Sequence, residues 1–102
     1  MEQVLKLIGG KWKVIILHHL SDGTKRFNAL RRLLPGITQR MLTRQLRELE
    51  ADAIISRKVY AQVPPKVEYS LTEFGRSIQP VLDAIEQWGI TYLDSVKAKK
   101  MN

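Results

Sequence analysis

The stretch Phe27-Asn28-Ala29-Leu30-Arg31-Arg32-Leu33-Leu34-Pro35-Gly36-Ile37-Thr38-Gln39-Arg40-Met41-Leu42-Thr43-Arg44-Gln45-Leu46-Arg47 decides how this chain folds. Its first part, Phe27 to Leu34, places Phe27, Leu30, Leu33 and Leu34 on one side of a helix and Arg31 and Arg32 on the other. Pro35-Gly36 is turn chemistry. Thr38 is a good N-cap for a second helix running to about Asp52, because its hydroxyl can accept from an otherwise unpaired amide of the first turn. On a helix that advances about 100° per residue, Leu42, Leu46 and Leu49 share an arc of about 60°. Arg40, Arg44 and Arg47 share an equal arc almost opposite, with Thr43 beside them, so one face suits a core and the other suits anions. Two helices about a short turn, the second with an arginine face, have the form of a helix-turn-helix.

Outward from this centre, the period changes to two. Within Ile54 to Ala61, Ile55, Arg57 and Val59 alternate with Ser56, Lys58 and Tyr60. Val63-Pro64-Pro65-Lys66 breaks the strand, and Val67, Tyr69 and Leu71 alternate with Glu68 and Ser70 on the way back. A hairpin directly after the second helix makes the motif winged. On the other side, Glu2 to Ile8 reads as a short helix interrupted by Gly9-Gly10. Trp12 to Leu20 is apolar on most sides and reads as a central core helix, ended by Ser21-Asp22-Gly23. A last helical region follows Thr72, which the sequence offers as its N-cap, with a capping box from Ser70 to Glu73 as the competing choice. Pro80 should kink or split it, and the polar tail from Lys97 should fray. The predicted class is mainly α with a small β-hairpin wing, in one domain spanning 1–102.

Charge narrows the function. Between Gly23 and Arg47 lie Lys25, Arg26, Arg31, Arg32, Arg40, Arg44 and Arg47, and no acidic residue. That segment accounts for the whole chain's formal charge of +7, since the signs cancel elsewhere. A solvated face ordinarily mixes signs, so an unmixed one points to a polyanion. The chain has 102 residues and no cysteine, which excludes disulfides, thiolate metal sites and cysteine nucleophiles. Adjacent His18 and His19 diverge by about 100° on a helix, so they read as structural rather than as ligands. No serine sits in a nucleophile elbow. Neither an enzyme nor a cofactor or metal site is expected. No apolar run approaches the roughly 18 residues of a membrane span, and the N-terminus does not read as a secretory signal, so a cytoplasmic protein is expected.

Several segments, in order, resemble the HxlR-type winged helix-turn-helix bacterial transcription regulators, relatives of the MarR group. They are Ile8-Gly9-Gly10-Lys11-Trp12-Lys13, Arg26 to Arg32, Leu34 to Thr43, Gln45 to Asp52, Val63 to Thr72, and Gly75-Arg76. The resemblance runs from about Val4 to about Gly89 and implies a dimeric repressor or activator in the bacterial cytoplasm. Many members of that family carry a cysteine before the first helix, and some sense oxidants or electrophiles with it. This chain has none, so the resemblance carries no thiol sensing onto it.

The expected DNA-binding residues are Thr38, Gln39, Arg40, Thr43, Arg44 and Arg47 on the helix entering the major groove, where arginine can pair bidentately with guanine. Lys66 is expected to reach DNA from the wing, and Arg26 and Arg31 to meet the backbone near the first helix of the motif. Arg57 and Lys58 point to opposite faces of their strand, so at most one of them faces DNA. The motif and wing are thereby committed, which leaves the terminal helices for a subunit contact. Ile85, Trp88, Tyr92 and Val96 recur at spacings of three and four, and Val4, Leu5 and Ile8 can complete the surface. A two-fold dimer on an inverted-repeat operator in double-stranded DNA is the expectation. A small-molecule effector is neither implied nor excluded. The alternative is a winged-helix module that binds protein instead of DNA, against which the charged helix face argues, because protein interfaces are depleted of charge at their centres.

Overall fold

The leucine face of the Thr38-capped helix lies at the centre of the core. In the computed structural model, which describes residues 1–101, Leu42, Leu46 and Leu49 are 1% exposed or less. The elements run α1 (Glu2–Ile8), α2 (Lys13–Leu20), β1 (Lys25–Arg26), α3 (Phe27–Leu33), α4 (Gln39–Ala51), β2 (Ile55–Tyr60), β3 (Lys66–Leu71), α5 (Glu73–Arg76) and α6 (Gln79–Met101). Around α4 pack Ile16, Leu17 and Leu20 of α2, Leu30 and Leu34 from α3 and its end, and Ile54, Ile55, Tyr69 and Leu71 of the hairpin. Leu33, which the helical pattern assigned to the buried side of α3, is instead 41% exposed.

Local chemistry sets the boundaries. The Thr38 hydroxyl accepts from the Met41 amide at 3.0 Å and starts α4. Gly36 sits at φ 90° in the turn between α3 and α4, a region that a residue with a Cβ enters only at a cost. Of the two caps weighed for the last helical region, Thr72 is used. Its Oγ1 accepts from the Gly75 amide at 2.8 Å and donates to the Ala53 carbonyl at 2.7 Å. Ser70 pairs instead with the Thr24 hydroxyl at 2.7 Å. Gly75 is required by close approach, because a Cβ there would strike the Ile54 carbonyl oxygen. The region splits between α5 and α6, and Pro80 falls in the first turn of α6, where its missing N–H breaks no helical bond.

The sheet has three antiparallel strands in the order β1-β3-β2. Ile55, Arg57 and Val59 stand opposite Leu71, Tyr69 and Val67, while Ser56, Lys58 and Tyr60 stand opposite Ser70, Glu68 and Lys66. Buried Ile55, Tyr69 and Leu71 mark the first set as the core side. The third strand, β1, was not foreseen. Two residues carry no period, and this strand exists through its pairing of Lys25 with Tyr69 and Arg26 with Glu68.

The C-terminal helix corrects the expectation of a frayed tail. It continues through Lys97 to Met101, and Asn102 lies outside the described residues. From Asp83 to Lys99 none of its residues is buried. A helix of 23 residues leaving the core gives extents of 58 × 29 × 22 Å and a radius of gyration of 15.9 Å, against about 13 Å for a compact domain of this length. No helix among the described residues is long and apolar enough to cross a membrane.

Candidate nucleic-acid interface

Burying the leucines of α4 turns its opposite side to solvent. Gln39, Arg40, Thr43, Arg44, Arg47 and Glu48 together line one open concavity. Arg40, Arg44 and Arg47 are all exposed, so one wall of the molecule gathers three guanidiniums. Arginine is suited to this position because its planar fork stays charged and presents donors in fixed directions. Thr38 caps the helix and Thr43 donates its hydroxyl to the Gln39 carbonyl at 2.8 Å, so both hydroxyls are engaged within the helix.

The hairpin closes one side of this wall. Thr43, Leu46, Arg47, Glu50, Arg57 and Tyr69 line a cleft between α4 and the sheet. Arg57 therefore belongs with the α4 arginines. Its phase was the available signal, because it alternates in step with Ile55, whose side chain enters the core. Lys58 lies on the other face of the sheet. So does Lys66, which is half-buried at the start of β3, with its ammonium 4.7 Å from the centroid of the Tyr60 ring and 3.8 Å from Glu68. The Lys58 ammonium approaches the same ring at 4.9 Å. Arg26 is exposed in β1 opposite Glu68, and Arg31 is exposed on α3. Neither lines the α4 concavity.

Two residues, Glu48 on the wall and Lys13 behind it, were not foreseen. Lys13, at the start of α2, is 7% exposed, and its Nζ lies 2.8 Å from Oε2 of Glu48. The other oxygen, Oε1, accepts from Nε of Arg44 at 3.4 Å. The hydrogen bond and charge of Lys13, and to a lesser degree Arg44, hold the Glu48 carboxyl below its ordinary range. Burial pushes His19 the other way from charge, lowering it with help from neighbouring His18, whose ring meets it edge-on at 5.4 Å.

The terminal helices carry exposed apolar residues. Val4 and Leu5 of α1, and Ile85, Trp88, Tyr92 and Leu93 of α6, are all between 46% and 69% exposed. The rings of Trp88 and Tyr92 stack 5.7 Å apart. Ile8 is half-buried against the core, and Val96 is half-buried as well.

A three-helix core with a hairpin wing and an exposed cationic second helix defines a winged helix-turn-helix DNA-binding protein. The chain belongs to the HxlR-like helix-turn-helix family, which it matches over residues 7–97. It is 62% identical to the uncharacterized HTH-type transcriptional regulator YdeP of Bacillus subtilis (strain 168), over 94% of this chain and 75% of the relative. It is 57% identical to YybR of the same organism, over 100% of this chain and 82% of the relative. The structure of the redox regulator HypR in its reduced form superposes with a TM-score of 0.89 at 59% identity, covering 95% of this chain and 96% of that one. The protein is a DNA-binding transcriptional regulator and not an enzyme.

Proposed function

We propose that the protein acts in the cytoplasm as a two-fold dimer that sets one α4 helix into each of two successive major grooves of an inverted-repeat operator. In this reading Thr38 and Gln39 bring the helix N-terminus to the groove floor, and Arg40, Thr43, Arg44 and Arg47 meet bases and phosphates. Arg57 reaches the backbone from the inner side of the wing and Lys66 from its outer side, and Arg26 and Arg31 add backbone contacts beside the motif. The dimer forms through α1 and α6, with the chain working as one unit from end to end. The observation that carries the reading is the wall of three exposed arginines on a helix whose other face is packed as core. A groove of B-DNA about 12 Å wide admits one such helix, and bidentate arginine distinguishes guanine there.

The test is a mobility shift with duplex DNA taken from beside the protein's own gene, in the presence of excess unrelated competitor. A sequence-selective complex is the expected result. Binding that competitor abolishes at every salt concentration would overturn the operator reading and leave a winged module for protein contacts.

A further inference from the structure

Lys13 lies outside the DNA-facing wall, yet it is the buried charge among the described residues, and it is engaged by a residue of that wall. At 7% exposure its ammonium needs a charged partner, and Glu48 supplies it at 2.8 Å. An ion pair with one buried partner is weak evidence for stability, since an apolar residue of similar size commonly serves in the buried place as well. What the pair does hold is the position of a carboxylate. Glu48 is the one acid among the six residues lining the α4 concavity. A free carboxylate there would repel phosphates. With Lys13 behind it, the local charge is balanced.

We propose that Lys13 is a positioning residue for DNA recognition, acting through Glu48 to aim Arg44. The inference rests on the reading of α4 as the groove helix. Both oxygens of Glu48 are engaged, one by Lys13 and one by Nε of Arg44 at 3.4 Å, so its role is exerted through the arginine and not by accepting from a base. Using Nε leaves the two Nη amino groups of Arg44, the pair that meets guanine O6 and N7. In the free protein the Arg44–Glu48 contact is exposed and contributes little. Once DNA excludes water from the wall, the same contact strengthens. Without Lys13, the carboxylate draws Arg44 into a full ion pair and subtracts one positive charge from the wall. Without Glu48, Arg44 is free to swing and the wall gains one positive charge.

The experiment compares Lys13→Met, Glu48→Gln and the double variant on two probes. One is a duplex enriched by the wild-type protein from a randomised library, and the other is its scrambled counterpart. Both single variants are expected to lower the ratio of selected to scrambled binding, on the order of tenfold for one lost bidentate contact. On the scrambled duplex they should move in opposite directions, Lys13→Met weaker and Glu48→Gln tighter than wild type. The double variant should return scrambled binding to the wild-type level without restoring selectivity. In an Arg44→Ala background, Lys13→Met should change selectivity no further. A purely architectural role for the pair predicts that both single variants weaken both probes together, and that result would overturn the proposal. So would a further loss of selectivity from Lys13→Met when Arg44 is absent. Should Lys13→Met fail to fold by circular dichroism, the sign of the Glu48→Gln effect and the behaviour of the double variant still decide. Failure of the wild type to enrich any sequence is a different outcome, which overturns the groove reading itself.

Discussion

A carboxylate held by a buried ammonium keeps its charge in more acidic solution than a free one. Glu48 is lowered from its ordinary value of 4.5, chiefly by the hydrogen bond from Lys13 and then by its charge, while partial burial works weakly against them. The folded carboxyl therefore titrates below the unfolded one, and the unfolded chain binds more protons in acid. The stabilisation is complete above the unfolded value and disappears as pH falls through the folded one. Melting temperatures of wild type and Glu48→Gln should accordingly differ by a constant amount near neutral pH and converge in acid. A difference that stays constant into acid would show that Glu48 contributes through shape and not charge. A second expectation at this scale concerns oxidants. With no cysteine, the oxidisable sulfur of these 102 residues resides in Met1, Met41 and Met101. DNA affinity should be unchanged by diamide at doses that leave the methionines intact by mass spectrometry. Release from DNA under those conditions would reveal a sensing chemistry other than thiol oxidation.

In the proposed complex, helix α4 and the wing divide the work of binding, and mutation should separate them. Changing Arg40, Arg44 or Arg47 to Ala should cost about 1–3 kcal/mol on the operator and relax preference at one base pair wherever that arginine reads a base edge. Arg57→Ala and Lys66→Ala should weaken operator and scrambled DNA alike, each flattening the salt dependence by about one unit of slope. Titrations at several salt concentrations on both duplexes are the measurement. Equal losses on the two duplexes for all three α4 arginines would show that they position the helix without reading it. The same elements show what was legible in the sequence. The two faces of α4 were plain because leucine and arginine keep opposite phases over 13 residues, and Thr38 announced the start. The hairpin was plain from its alternation. Strand β1 was invisible, because two residues have no period and its pairing with β3 is non-local. Arg57 was half-legible, since alternation separated it from Lys58 but only the burial of Ile55 told which side faces α4. The Lys13–Glu48 pair was not legible at all. Lys13 looked like a polar start to an apolar helix, and no local pattern joins it to a residue across the fold.

At the scale of the molecule, α6 is the feature that a monomer does not explain. It extends about 34 Å at 1.5 Å per residue, and after Leu82 no residue up to Lys99 is buried. Along it Val81, Ile85, Trp88, Tyr92 and Val96 fall within an arc of about 80° at helical spacing. Trp88 is 69% exposed and Tyr92 55%, and at the other end of the chain Val4 and Leu5 are similarly bare. Stacking Trp88 on Tyr92 gives the stripe a firm surface without removing it from water. Large contiguous apolar patches on soluble chains mark interfaces, and the α4 and wing surfaces are cationic and unsuited to self-association. A second copy meeting α1 and α6 about a two-fold axis would cover the stripe and repeat the α4 wall. Docking on two adjacent grooves then requires the recognition helices to lie about 34 Å apart, one turn of B-DNA. Sedimentation at micromolar concentration should find a dimer. Tyr92→Asp, which sets a charge into the stripe, should shift it to monomer, and Trp88→Ala should weaken it. Both should lower affinity for a two-half-site operator far more than for a single half-site, because only the former draws on both subunits at once. A folded wild-type monomer bound to one half-site would overturn this assembly, as would two variants that remain dimeric with unaltered affinity.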